Sequence, residues 1–237
     1  MPASIDVIFT PDLLPLSPPT GKTVVVADIL RATTTITFAI ANGALGVTPV
    51  LTPVDAFECA ANRPNTIICG ERRGKKVNGF HLGNSPCEYT KTAVSGKQIV
   101  LTTTNGTRTL LACRSAKQVL VGCFLNLQAI INSLMLVEGE VAIVCAGREG
   151  SYCMEDTVFA GACVASLSAV HLTDAAEAAN ILYRAHRHNL PGMLKDCYHG
   201  RKLAEIGLAG DLEFCAQLNL VDVVPHQIDG QIVSPYA

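Results

Sequence analysis

Carboxylates and arginines recur in this sequence at one kind of place, the turn that follows an apolar, β-branched run. After TVVVA (23–27) comes DILRATTT, with Asp28 where the run gives out, Arg31 within the turn and Thr33 opening a helical pattern. A charge beside so apolar a stretch is costly unless it has a task. A carboxylate there can hold a cation or attack phosphorus, and an arginine beside it can grip two phosphate oxygens at once. The plainer alternative is an Asp–Arg pair that only orders the turn. After TIIC (66–69) come Glu71 and the adjacent Arg72 and Arg73, of which at most one can face a common cleft; Asn84 and Ser85 follow in a Gly-Asn-Ser-Pro turn. After QIVL (98–101) comes TTTNGTR, where Thr103, Thr104, Asn105 and Gly106 supply hydroxyls, an amide and close backbone approach at a helix start. That set suits an anion cradle. After EVAIV (140–144) comes CAGREGSYCMED, with Gly147 and Gly150 bracketing Arg148 and Glu149.

Glu155 and Asp156 open the next helical pattern. Acidic residues there often only complement the helix dipole. Adjacent helical residues point about 100° apart, so one of the two can reach a cleft. Asp156 is the choice, as an oxygen ligand for Mg²⁺, which takes one or two carboxylates together with waters and substrate phosphate. Carboxylates, arginines and a hydroxyl-rich turn together suit phosphoryl chemistry with a divalent metal. Asp28, Arg31 and Arg148 are the catalytic candidates, and Asp28, Glu71 and Asp156 the metal candidates. Thr33, Arg72, Asn84, Ser85, Thr103, Thr104, Asn105, Gly106 and Gly147 are the substrate-binding candidates. Residue type leaves open whether Asp28 attacks or holds the metal. His171, His186, His188 and His226 carry no partner motif, which leaves His81 and His199 as the histidines that can face the site. There is no P-loop, no G-x-S-x-G and no C-x-x-C.

The elements that must position these residues alternate. Strands are expected at 23–27, 47–51, 66–69, 98–101, 118–122, 140–146 and 221–224. Helices are expected at 33–44, from Thr52 with Pro53 at its first position, near 107–114, at 125–136, at 155–170, from Asp174 as cap, at 199–206 and at 211–218. Residues 70–97 form a long loop. This pattern implies a layered α/β/α fold with a mostly parallel sheet, whose ligands bind beyond the C-terminal strand ends. The chain also echoes itself: GKTVVVADILRATTT begins at Gly21 and GKQIVLTTTNGTRTL at Gly96, and CGERRG begins at Cys69 and CAGREG at Cys145. Pseudo-repeats over 21–95 and 96–170, followed by a mainly helical 171–237, would form two related lobes in a single α/β domain over 1–237 and bring equivalent turns to one cleft.

Hydrophobic residues make up 49% and charged residues 16% of 237, which allows a sizeable core and excludes disorder. A net charge of −2 without a basic run excludes sequence-independent nucleic-acid binding. No apolar run is long enough to span a membrane. The N-terminus lacks a signal-peptide pattern, and the ten cysteines read as small buried hydrophobes of a reducing compartment, so the expected location is the cytoplasm. The apolar helix 155–170 suits a core or a homodimer interface equally.

VVVADILRATTTI (24–36), GERRG (70–74) with GFHLGNSP (79–86), TTTNGTR (102–108), CAGREG (145–150) with MEDTVFAG (154–161), and HGRKLAEIGLAGDLEFC (199–215) together resemble the 2-phosphosulfolactate phosphatase family, in order and over nearly the whole chain. The resemblance implies Mg²⁺-dependent hydrolysis of (2R)-2-phospho-3-sulfolactate to sulfolactate and phosphate, a step of coenzyme M biosynthesis, on an α/β fold of two related lobes with the site between them. His81 departs from the GFDLGNSP expected there, which places specificity in question. The competing readings are the same fold acting on another small phosphate monoester, and a non-catalytic module that binds a phosphorylated metabolite.

Overall fold

The computed structural model describes residues 1–167 and 171–234. Its strands are β1 (Ser4–Ile8), β2 (Thr23–Ala27), β3 (Gly46–Pro49), β4 (Thr66–Arg72), β5 (Lys75–Lys76), β6 (Gln98–Thr102), β7 (Gln118–Gly122), β8 (Glu140–Cys145), β9 (His171–Leu172), β10 (His226–Ile228) and β11 (Gln231–Val233). Its α-helices are α1 (Ala32–Ala41), α2 (Pro53–Ala60), α3 (Lys91–Val94), α4 (Gly106–Ala112), α5 (Leu127–Met135), α6 (Met154–Ser166), α7 (Asp174–His186), α8 (Leu190–Asp196), α9 (Tyr198–Glu205) and α10 (Ala209–Cys215).

The strands form one sheet in the order β5-β4-β6-β3-β11-β10-β7-β2-β8-β1-β9. Two parallel blocks, β4-β6-β3 and β7-β2-β8-β1-β9, are joined by the antiparallel hairpin β10-β11. The joint is slender: His226 pairs with Leu120 on one side and Ile232 with Val47 on the other. The mostly parallel, layered α/β fold is thus the one expected, but the two lobes are halves of a continuous sheet. Strands are exchanged between segments 21–95 and 96–170: β2 pairs with β7 and β8, while β6 pairs with β3 and β4.

Period-2 side-chain direction explains why β2 has no polar face. Val25 and Ala27 join the core under α5, α6 and the later helices, whereas Val24 and Val26 join the core under α1 and α4. In the other block, Ile99 and Leu101 of β6 face the second core, and Val100 meets Ala56 of α2. Gly161 lets α6 lie against α7, since a Cβ there would stand 2.0 Å from the Ala179 carbonyl oxygen. The apolar faces of α6 are therefore buried within the chain.

Thr52 opens α2 with a capping box shared with Asp55, as its sequence suggests. Several expectations need correction. Residues 221–224 are not a strand; the chain pairs at β10-β11, turned by Asp229 (φ 49°) and Gly230 (φ 79°), an Asp-Gly signal for a type I′ hairpin. Strands β1 and β9 and helix α8 were not foreseen, and the expected loop 70–97 holds the end of β4, strand β5 and helix α3. The cap of α7 is Thr173, whose hydroxyl accepts from the Ala176 N–H, while Asp174 is the first helical residue. Helix α6 ends at Ser166, and the last part of the expected helix, 168–170, lies outside the described residues. Among the described residues no helix is long and apolar enough to cross a membrane.

Because Ile232 is fully buried at the joint, Ile232→Ala should lower the unfolding free energy by about 2–5 kcal/mol. Urea titration checks this; an unchanged midpoint would show that the hairpin does not hold the two blocks together.

Candidate active site

The C-terminal ends of β2, β4, β6 and β8 open onto one cavity of about 270 Å³. Its wall includes Asp28, Arg31, Glu71, Asn84, Thr103, Thr104, Asn105 and Arg148 from the expected set. It also includes Arg73, Glu149 and a side of α9 with Tyr198, His199 and Lys202. The turns after these four strands meet around a single cleft.

Asp28 is 7% exposed. Its Oδ1 accepts the Ala32 N–H at 3.2 Å, and its backbone is tied to the Thr33 hydroxyl and N–H at the start of α1. Its Oδ2 accepts no hydrogen bond from the described residues and lies against Gly106, where a Cβ would approach it to 2.6 Å. A Cβ at 106 would also stand 2.5 Å from the Ala32 Cβ, so only glycine lets this turn lie against the start of α1 and Asp28. Burial pushes the Asp28 carboxyl up from 3.8 to about 6; His199 and the Ala32 N–H oppose this, and the charges of Glu71 and Glu155 add to it.

The other carboxylates divide by task. Glu71 accepts from Thr104, N–H at 2.8 Å and hydroxyl at 3.0 Å, and from the Gly74 N–H at 2.7 Å. Asp156 does not line the cavity. Its two oxygens accept the Ile29 N–H at 2.8 Å and the Gly147 N–H at 3.1 Å, holding the turns after β2 and β8 together. Burial and the nearby charges of Glu155 and Asp28 push its pKa well above the ordinary range, against those two N–H groups. The neighbour, Glu155, reaches His199 instead, Oε1 to Nδ1 at 3.1 Å. Burial raises the Glu155 pKa, but the hydrogen bond and charge of His199 outweigh it and leave it lowered.

Arg31 is 3% exposed. Its guanidinium binds Asp211 at 2.6 Å and the Gly74 carbonyl at 2.8 Å, and Asp211 in turn accepts from the Ser85 hydroxyl at 2.6 Å. Ser85 therefore positions Arg31 rather than facing the cavity. Arg72 is turned away, donating to the Glu71 and Leu51 carbonyls and to Thr102. Arg73 lines the cavity in its place, at the tip of a tight turn with φ of 55°. Arg148 lies over the Tyr198 ring, 4.2 Å from its centroid. Thr33, Gly106 and Gly147 shape the turns without lining the cavity. The expected anion cradle is largely engaged with itself: Thr104 donates to Glu71, Thr107 to Thr103, and Asn105 accepts from the Glu149 N–H. Asn84 lines the cavity with a buried Oδ1 that has no partner.

The chain matches the family model described as 2-phosphosulpholactate phosphatase over residues 8–230. It is 40% identical over 229 residues to the probable 2-phosphosulfolactate phosphatase of Thermotoga maritima, covering 97% of each chain. It is 42% identical over 230 residues to the one of Pseudothermotoga lettingae, covering 97% of this chain and 98% of the relative. The chain belongs to the 2-phosphosulfolactate phosphatase family.

His81, where the sequence reading expected Asp, does not line the cavity: its Nδ1 accepts the Ile68 N–H at 3.1 Å beside β4. The residues that sequence reading missed are Asp211, Tyr198 and Lys202. The last two sit four apart on α9 beside His199, a helical spacing visible in YHGRK. Asp211 had no local signal, because its partner Arg31 is 180 residues away.

An Asp whose pKa is raised on folding weakens the native state once it ionises. Below about pH 4 both states hold the proton. Between about pH 4 and 6 the folded form keeps a proton that the unfolded chain has lost, so stability falls as pH rises and stays lower above that window. In metal-free buffer, Asp28→Asn should therefore be more stable than the parent at pH 7.5, by at most about 3 kcal/mol. The difference should vanish near pH 4. Urea titrations at both pH values check this; a less stable variant at pH 7.5 would contradict it.

Proposed function

We propose that this chain hydrolyses the phosphate monoester of a small, multiply acidic 2-hydroxy acid, with (2R)-2-phospho-3-sulfolactate the first candidate, and that it uses Mg²⁺. The observation that carries this reading is the juxtaposition, in one small cavity, of Asp28 and four cations: Arg31, Arg73, Arg148 and Lys202. Such a substrate brings a phosphate, a carboxylate and a sulfonate. Several cations, at least one of them buried and fixed, suit three anionic groups. The names of the relatives support the same substrate.

The donor set fits the metal. Asp28 leaves Oδ2 without a partner among the described residues, and Glu71 and Glu155 both lie near enough for their charges to add to the burial that raises the Asp28 pKa. Two neighbouring carboxylates with oxygen to offer are what Mg²⁺ uses alongside waters and phosphate. Asp28, on the cavity wall, and Glu155, buried beside His199, are the residues that would hold it; Glu71 and Asp156 serve by binding backbone. When bound, Mg²⁺ would offset the charge of the phosphoryl group. Arg31, held at one angle by Asp211 and Gly74, orients that group. Arg148 and Lys202, beside Tyr198 at the rim, receive the acidic end of the substrate. His199, held by Glu155 through Nδ1, keeps Nε2 for handing a proton to the departing 2-oxygen.

The test is phosphate release from 2-phospho-3-sulfolactate and 2-phospholactate, with Mg²⁺ and with EDTA. Release should require Mg²⁺, favour the sulfonate-bearing substrate, vanish in Asp28→Asn, and fall about 100-fold or more in His199→Gln. Metal-independent release, or parental turnover by a folded Asp28→Asn, would overturn the assignment.

A further inference from the structure

Eight of the ten cysteines are buried and none is paired, but one differs in its setting. Cys153 occupies the cap position of α6, yet its sulfur makes no capping hydrogen bond. Cys197, at the cap of α9, does use its sulfur that way, accepting the Gly200 N–H at 3.3 Å. The Cys153 sulfur instead lies with a carboxylate oxygen of Glu155 and a ring nitrogen of His199, and the three atoms are all within 4.8 Å of one another. Cys153 is 5% and Glu155 2% exposed, while His199 stands on the cavity wall. The site is thus assembled from two elements, the start of α6 and the first turn of α9. Its back is dry and its front reaches the cavity.

Sulfur, nitrogen and oxygen together are a poor match for Mg²⁺, which wants oxygen throughout. They match a borderline-soft ion that prefers four ligands, three from protein and one exchangeable. We infer that Cys153, Glu155 and His199 form a binding site for zinc and similar thiophilic divalent cations, with its fourth position toward the cavity. Cys153 coordinates as the thiolate, its proton passing to solvent. The ion takes the place of the Glu155–His199 hydrogen bond, so this site and a Mg²⁺ site using Glu155 exclude each other.

The test is spectroscopic and independent of any phosphatase activity. Metal-free protein is titrated with Co²⁺, which reports thiolate ligation through a sulfur-to-cobalt charge-transfer band, and Zn²⁺ is then added as competitor. One equivalent of Co²⁺ should give the band, and Zn²⁺ should abolish it. Cys153→Ser should lose the band and bind Zn²⁺ at least ~10-fold more weakly. Cys87→Ser, at an exposed cysteine, should keep both. Should Cys153→Ser fail to fold, His199→Gln decides the matter: it should weaken Zn²⁺ binding by a similar factor while leaving a weaker thiolate band. No stoichiometric binding, a band that survives in Cys153→Ser, or unchanged Zn²⁺ affinity in His199→Gln would overturn the site.

Discussion

The Asp156 carboxylate, 2% exposed, holds the turn after β2 with one oxygen and the turn after β8 with the other. Around the cavity this bond is one of four of the same kind. Asn105 ties the β8 turn to the β6 turn through the Glu149 N–H. Glu71 ties the β6 turn to the turn beyond β4 through Thr104 and Gly74. Arg31 closes the circuit by donating to the Gly74 carbonyl from the β2 turn. Short loops with few apolar contacts cannot be fixed by packing, so polar bonds fix them: those of Asp156 are buried, those of Glu71 and Arg31 partly so, and that of Asn105 is exposed. The strand exchange makes the circuit possible, because it sets β2 and β6 inside two parallel blocks whose C-terminal ends open onto one cavity.

The same circuit sets the electrostatics. Taking Asp28, Glu71, Glu155 and Asp156 out of water concentrates negative charge, and Asp28 responds with a raised pKa. Such an arrangement is unfavourable without a cation and becomes useful with one. Arg31 escapes the opposite problem because Asp211 compensates its buried charge. Ser85 and Gly74 complete the bonds of that pair, so Arg31 is held at one angle before any ligand arrives.

Much of this was legible in the sequence, for a physical reason. Strands buried on both faces read as β-branched runs, and polar residues just beyond them stand out; Asp28, Glu71 and Arg148 were found that way. Choices between neighbours were not legible. Arg72 and Arg73 are alike in type, and only the left-handed backbone at 73 turns one inward and the other back onto Thr102. Asp156 does not reach the cleft as expected because it finds two backbone N–H groups from distant turns, while Glu155 reaches His199; the helix starts one residue earlier than its pattern suggests. Pairings across 180 residues, as between Arg31 and Asp211, leave no local trace. The hairpin that joins the sheet did leave one, in Asp229-Gly230, but its short strands lack the apolar run that marks the others.

The most direct test of this account is the kcat/KM for phosphate release by Asp156→Asn, compared with the parent at matched folding. Asn cannot accept both the Ile29 and the Gly147 N–H groups through oxygen, so one turn is freed while the cavity's own groups are unchanged. A folded variant with kcat/KM lower by ~100-fold or more is the predicted result, since small misplacements of reacting groups cost that much. Parental kcat/KM in a folded Asp156→Asn would show that the bond between the two turns is not what positions Asp28.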